Sequence, residues 1–330
     1  MKLIYDPKVY LVGRQELLGS KDLSGISLFL EEEAGADCGY APWANGANSD
    51  AERLCEIAGR VCYLSFGKPR PGGNQAYLKH ILEVSHGSVL EHAVWNFIVT
   101  GVSRSFSHEF VRHRIGMSPS QLSQRYVDES VAEYVVPHDL RNEVVAAQQE
   151  MVKWSSILTV ADVLQGLAMG KGGLERTTPT AVVGLKWLAA MEQASASYRE
   201  MVEHLTHKIT HDAYNAYVKK QQAANLGFTS KEEHLYSPEE RTAIRKQARQ
   251  AARSVLPNAT ETKLFFTINA RAARHFFELR ASRHAEPEIR KVAFAVWQVL
   301  VKEAPHLFGD YVVAALPDGT HELTTPHRKV

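Results

Sequence analysis

Residues 93–113 read AVWNFIVTGVSRSFSHEFVRH, and two different periods meet inside them. Over 93–102 β-branched and aromatic side chains alternate with smaller or polar ones, the pattern of a half-buried strand. From 103 to 113 the spacing turns helical: Phe106 and Phe110 share one side, and Arg104, His108 and Arg112 share another. A strand therefore runs directly into a helix whose polar side carries the first of a series of arginines.

Working outward, residues 33–50 (EAGADCGYAPWANGANSD) form a surface loop, and a helix opened by Asp50 follows at 50–64. A second loop, 67–74 (GKPRPGGN), leads into a helix capped by Asn74 and running to about Val84. Downstream, 140–168 and 185–223 are long, Ala-rich and free of internal Pro, which predicts helices separated by the loop 170–180 (GKGGLERTTPT). Ser237-Pro238-Glu239-Glu240 is a helix start, with Ser as N-cap, Pro at N1 and Glu at N3, and this helix ends before Pro257. Another helix is predicted from about Glu261 to Ala281. A last one begins near Pro287 and buries Ile289, Val292, Ala293, Val296 and Leu300. No internal repeat or linker interrupts the chain.

At 330 residues the chain can bury a sizeable core, as one large domain or two ordinary ones. The 38 basic and 37 acidic groups leave a net charge of +1, which argues against a general nucleic-acid binder. That balance still allows a local basic pocket for a small anion. Cys38, Cys55 and Cys62 follow no CxxC spacing, and read as reduced thiols of a cytosolic protein. The opening residues, MKLIYDPKVYLVGRQELLG, lack a secretory h-region, and no stretch reaches the roughly 18 apolar residues of a membrane span. The expectation is a soluble cytoplasmic protein with no membrane or nucleic-acid partner.

Three clusters carry chemistry. The densest runs Arg112-His113-Arg114-Ile-Gly-Met-Ser-Pro-Ser-Gln-Leu-Ser123-Gln124-Arg125-Tyr126. Guanidinium groups bind planar oxyanions bidentately, and nearby hydroxyls and loop N–H groups complete a phosphate cradle. Composition alone also allows a solvated basic helix end with a polar turn, but the apolar flanks favour a loop against the core. The second cluster is Arg253-Ser-Val-Leu-Pro257 followed by Asn269-Ala-Arg271, His275 and Leu279-Arg280. On a helix, Arg271 and His275 are i,i+4 neighbours, and Arg280 lies one turn beyond the anchoring Phe276 and Phe277. Arg241, Arg245 and Arg249, also spaced by four, read as an exposed face. The third is His86-Gly-Ser88-Val-Leu-Glu91-His92, just before the strand.

Other motifs are discarded. His207-Lys-Ile-Thr-His211 has Lys where a zinc protease needs Glu, so no metal is expected. Gly166 to Gly172 imitates a phosphate loop but lacks its full length and its Ser/Thr. No GxGxxG occurs, so a dinucleotide would not be held in a Rossmann manner.

Taken together the three clusters resemble the flavin-dependent thymidylate synthase family. Arg112-His113-Arg114 with Ser123-Gln124-Arg125-Tyr126 downstream is similar to the family signature, and His86–His92 to the flavin-binding segment before it. Arg253–Pro257, Asn269-Ala-Arg271 and Leu279-Arg280-Ala-Ser-Arg-His284-Ala-Glu-Pro-Glu-Ile289 follow in the family's order. The resemblance spans about 60–137 and 237–310. It implies an α+β fold, a single compact domain over 1–330 with a mixed or antiparallel sheet flanked by long helices, and a mostly helical insertion at about 138–236. It also implies a homotetramer with active sites between subunits.

The implied activity is reductive methylation of dUMP to dTMP, with methylenetetrahydrofolate as carbon donor and NADPH as reductant. A relative acting on another pyrimidine nucleotide or transferring hydroxymethyl is the alternative, and a non-enzymatic nucleic-acid binder a weaker one. Non-covalent FAD would meet Ser88, Glu91, Arg112, His113, Arg114, Asn269, Arg271 and His275. dUMP would meet Glu109, Arg112, Ser120, Gln121, Leu122, Ser123, Gln124, Arg125, Arg253 and Arg280. Arg280 matches the catalytic arginine that favours ionisation of uracil N3, and Ser123 would orient substrate without a covalent step. Two local departures stand out: the spacing from Arg114 to Ser123 is one residue longer than in the family signature, and Glu109 replaces the Gln of many members.

Overall fold

The strand expected at 93–102 forms in the computed structural model as Val94–Ser103 (β3), next to β2 (Lys8–Arg14), which pairs with it antiparallel. With β4 (Met117–Gln121) and β6 (Glu261–Asn269) they make a four-stranded sheet in the order β2-β3-β6-β4. The structure describes residues 1–18, 25–33, 46–68, 70–154, 159–169, 177–226 and 236–328. Packing groups the chain into two compact units. One comprises residues 1–5, 103–105 and 122–262, and the other residues 6–102, 106–121 and 263–330. The architecture is α+β. Among the described residues no helix is long and apolar enough to cross a membrane.

The sheet belongs to the second unit. α2 (Asp50–Tyr63) starts at the expected residue, behind Ser49, whose side chain is the N-cap and accepts from Glu52 N. α3 (Gly73–Glu83) is not capped by Asn74. That amide is buried, and donates instead to the Glu56 carboxylate at 2.7 Å, where Glu56 also receives two N–H bonds from buried Arg60. The helix expected over 103–113 is shorter, α4 (Arg104–Phe110), so that Arg112 and His113 lie in the turn after it. The reading of 261–281 as one helix is overturned. Leu264, Phe266 and Ile268 alternate inward on strand β6, and only Ala270–Arg280 (α9) is helical. Aromatic and β-branched side chains lose rotamer freedom in a helix, and β4 supplies the pairing that wins: Met117 faces Ile268 and Gln121 faces Leu264. The stretch read as a loop from Gly116 past Pro119 is thus partly a strand, and Pro119 is tolerated because β4 lies at the sheet edge. Pro287–Glu303 (α10) buries Ile289, Val292, Ala293, Val296 and Leu300 as expected. A short helix, α11 (Pro305–Phe308), and a hairpin of β7 (Val312–Ala315) with β8 (His321–Thr324) end the chain.

The other unit is mostly helical. β1 (Lys2–Ile4) pairs parallel with β5 (Glu133–Val135). The long helical stretch expected from 140 appears as α5 (Arg141–Trp154) and α6 (Val160–Ala168), with 155–158 outside the described residues. α7 begins earlier than expected, at Pro179 behind a Thr178 N-cap, and continues to Ala223. Its 45 residues correspond to roughly 68 Å of helix at 1.5 Å per residue. Ala181, Leu185, Leu188 and Met191 are buried on it, and Gly184 lets it approach the Glu143 carbonyl of α5 closely. α8 (Pro238–Ala252) starts with the expected capping box: Ser237 accepts from Glu240 N, and Glu240 accepts from Ser237 N. The expected insertion, 138–236, lies wholly within this unit. Much of the expected loops at 33–50 and 170–180, and with the latter the rejected phosphate-loop mimic, lies outside the described residues.

Candidate active site

In the sheet-bearing unit the site is assembled on aromatic anchors. Phe106 and Phe110 of α4 are fully buried, and their rings stack at 5.2 Å. Phe110 also meets Phe266 of β6 and Phe276 of α9 edge-on, at 4.9 and 5.6 Å. These contacts lock the end of α4 against α9 and decide which polar groups meet there. Arg280, in the last turn of α9, donates from Nη1 to Glu109 Oε2 at 2.5 Å and from Nε to His113 Nε2 at 3.0 Å. The His113 ring stands edge-on to Phe276 at 5.2 Å and lies 6.3 Å from the His275 ring. Burial, the Arg280 cation and His275 push the His113 pKa down to about 4, against the opposing pull of Glu109. His113 is therefore neutral at physiological pH, and its Nε2 lone pair is the acceptor that Arg280 needs.

At the other end of α9, Asn269 is the N-cap and accepts from Ala272 N at 2.8 Å. Gly116 has φ +69°, and a Cβ there would meet Asn269 Nδ2 at 2.6 Å. Its carbonyl accepts from Asn269 N at 3.0 Å. The preceding histidine-rich segment folds as a 3₁₀ turn, Gly87–His92, held down by buried Val89 and Leu90. That turn presents Ser88 and Glu91 to solvent, and Glu91 accepts from Arg271 at 2.6 Å. Glu91, Asn269, Arg271 and His275 line one cavity of about 500 Å³, together with Ile115 from the turn before β4. Arg112 and Arg114 are exposed, as is Ser120 on β4, while Gln121 is half-buried.

In the helical unit, Leu122, Ser123 and Arg125 are half-buried and Gln124 is buried. Ser123 organises the turn: its carbonyl accepts from Tyr126 N and Val127 N, and its hydroxyl from Arg125 N. Gln124 Nε2 and Arg125 Nε are buried without a hydrogen-bond partner among the described residues. Arg253 occupies a 3₁₀ turn after α8. The Arg104 guanidinium lies near it, its pKa lowered first by burial and then by the Arg253 charge. The Glu129 charge opposes that shift, and Arg104 was not among the residues expected at a site. Its one signal was its place on the polar side of the helix with His108 and Arg112. Arg249 is not the exposed surface arginine expected; it donates to Tyr126 O and to Asp128, both at 2.8 Å. His204, His207 and His211 are on α7, and no group of three His, Cys, Asp or Glu that could hold a metal occurs among the described residues.

The profile of a family described as "Thymidylate synthase complementing protein" matches residues 46–306. The chain belongs to this family. A flavin-dependent thymidylate synthase of Mycobacterium sp. (strain JLS) is 40% identical over 289 residues, covering 86% of this chain and 89% of the relative. One of Mycobacterium leprae (strain Br4923) is 36% identical over 322 residues, 97% of this chain and 95% of the relative. One of Mycobacterium avium (strain 104) is 38% identical over 287 residues. For this member of the family, four of the residues expected at a flavin, Glu91, Asn269, Arg271 and His275, share one cavity, whereas Ser88, Arg112, His113 and Arg114 do not line it. Of the residues expected at the nucleotide, Glu109 and Arg280 meet directly within one unit. Leu122, Ser123, Gln124, Arg125 and Arg253 all belong to the other.

Proposed function

We propose that the protein converts dUMP to dTMP by FAD-dependent reductive methylation, with methylenetetrahydrofolate as carbon donor and NADPH as reductant. The observation that carries this is the fixed guanidinium of Arg280, held by Glu109 on one side and by neutral His113 on the other. Attack at uracil C6 builds negative charge on the pyrimidine ring. A positively charged planar fork beside N3 and its flanking carbonyls stabilises that charge without reorganising during the reaction. Glu109 and His113 are the positioning groups: they take two of the N–H directions and aim those that remain.

The donor set of the cavity suits a phosphate-bearing dinucleotide. Arg271 supplies a permanent cation, His275 an imidazole, Asn269 an amide, and Ile115 an apolar side chain for an aromatic ring. Bound FAD would supply the hydride chemistry. Around it the chain's own residues bind and orient: Arg271 is kept in place by Glu91, and Asn269 by its role as helix cap. In this reading Arg112, Arg114 and Ser88 complete the cofactor site. Ser120, Gln121, Leu122, Ser123, Gln124, Arg125 and Arg253 complete the nucleotide site, with Arg104 added for the phosphate. The same reading makes the enzyme a cytoplasmic homotetramer with active sites between subunits.

A visible spectrum of the purified protein, followed by assay of dTMP formation, tests the proposal. Flavin absorbance, restored by FAD after stripping, with turnover of dUMP is the expected result. A colourless protein that FAD cannot reconstitute would overturn it, and turnover of dCMP in place of dUMP would redirect it to another pyrimidine nucleotide.

A further inference from the structure

The cavity has a wall that lies beyond residue 306, where the family profile ends. Tyr311 and His327, both from the C-terminal segment, line it alongside Arg271 and His275. What holds this segment is Arg274, on the buried side of α9, with 3% of its side chain exposed. From Nη1 it donates to the Leu307 carbonyl and to Asp310 Oδ1, both at 2.7 Å. From Nη2 it donates to Asp310 Oδ2 at 2.8 Å and to the His327 carbonyl at 3.0 Å. Thr325 closes the arrangement: its hydroxyl donates to Asp310 at 2.5 Å and accepts from His327 N at 3.0 Å. Burial pushes the Asp310 pKa up, but the Arg274 hydrogen bonds and charge outweigh it and hold the carboxyl below its usual range. Arg274 Nε finds no partner among the described residues, but both terminal nitrogens are paired, as a buried cation requires, and the strap Thr325–His327 is tied through its backbone to the core of the unit.

The consequence falls on one side chain. Both backbone polar groups of His327 are used by Thr325 and Arg274, which fixes where the residue starts. Its ring makes no hydrogen bond or ion pair with another described residue, yet the residue lines the cavity. An imidazole N–H held on the same cavity as Arg271 and His275 gives three nitrogen donors around one space, a set that suits phosphate oxygens, while the two carboxylates of the lining, Glu91 and Glu278, are paired with Arg271 and Arg328.

We infer that the C-terminal strap is part of the dinucleotide site and that His327 is a further cofactor-binding residue, donating its ring N–H to a phosphate oxygen of FAD. The inference rests on the reading that this cavity holds FAD. Arg274, Asp310 and Thr325 act through His327 as positioning residues.

The test titrates FAD into the flavin-stripped full-length protein, following flavin fluorescence, for the parent, His327→Ala and His327→Lys. A charge-assisted hydrogen bond to phosphate predicts that His327→Ala raises the Kd roughly tenfold or more. His327→Lys recovers most of that loss, because an ammonium also donates to phosphate. A chain ending at Thr325 loses the ring together with its tether and binds FAD no better than His327→Ala. A His327→Ala protein whose Kd stays within about twofold of the parent overturns the inference. So does a His327→Lys protein as weak as the alanine variant, which would make ring shape and not donation the cause. A parent that binds no FAD at all refutes the proposed function instead, so the two failures are distinguishable.

Discussion

Arg280 Nε donates to His113 Nε2 across 3.0 Å, although the two residues are 167 positions apart in the chain. One partner closes α9 and the other follows α4, and the aromatic contacts between those helices set the distance. Because Glu109 accepts from Nη1 of the same guanidinium, two edges of the Arg280 fork are occupied by the protein itself.

Replacing that fork by an ammonium separates charge from geometry. Arg280→Lys keeps the cation but cannot hold Glu109 and His113 while also meeting two ring acceptors. The expected outcome is a loss in turnover on the order of a hundredfold, with FAD affinity preserved because Arg271, Asn269 and His275 are untouched. The measurement is single-turnover oxidation of flavin by dUMP and methylenetetrahydrofolate, after anaerobic reduction with NADPH. An unchanged rate would make Arg280 a structural arginine.

His113 gives stability a pH dependence with a defined sign. Its folded pKa of about 4 lies below the ordinary 6.5, so within that window the unfolded chain binds more protons. The contribution is complete above about pH 6.5 and is lost progressively as pH falls toward 4. His113→Asn removes it, so the variant's melting temperature changes less than the parent's between about pH 7 and about pH 5. Parallel melting curves of the two proteins across that range would contradict the assigned environment.

Gly116 is costly to replace for two separate reasons. Its φ of +69° disfavours any Cβ, and the Cβ would strike the Asn269 side chain that caps α9. Gly116→Ala is expected to destabilise the fold by roughly 1–3 kcal/mol, from backbone strain and a disturbed cap. Displacing Asn269 also weakens FAD binding. Denaturant unfolding and an FAD titration on the same preparation check both halves.

Gly184 tests the helical unit alone. A Cβ there would run into the Glu143 carbonyl and approach Ala147 Cβ to 2.8 Å, so α5 and α7 would have to part. Gly184→Ala gains helix propensity but loses the close approach, with a net destabilisation of about 1–3 kcal/mol expected in thermal unfolding. A stabilised variant would show that the helices can separate without loss.

Much of the local structure was legible before folding, because local chemistry announces itself locally. Ser237 and Glu240 form a capping box wherever a helix starts, and the buried residues of α10 follow from helical spacing alone. The strand-to-helix change near residue 103 is likewise written in side-chain period. The sequence by itself also pointed to the family, since Arg112-His113-Arg114 and the motifs after it keep their order even with one extra residue before Ser123. The reading failed at β6: residues 261–269 carry the aromatic and β-branched side chains of a strand but run into α9 without a break, and pairing with β4 marks the strand off from the helix. Asn74 looked like a cap and became the partner of a buried Glu56–Arg60 pair, a role that exists only once α3 packs on α2. Only the tertiary structure decided that Glu109 and His113 hold Arg280, and that Arg274 ties His327 beside Arg271. Those are contacts between distant segments, set by how the aromatic core packs and where each backbone ends, and no spacing along the chain encodes them.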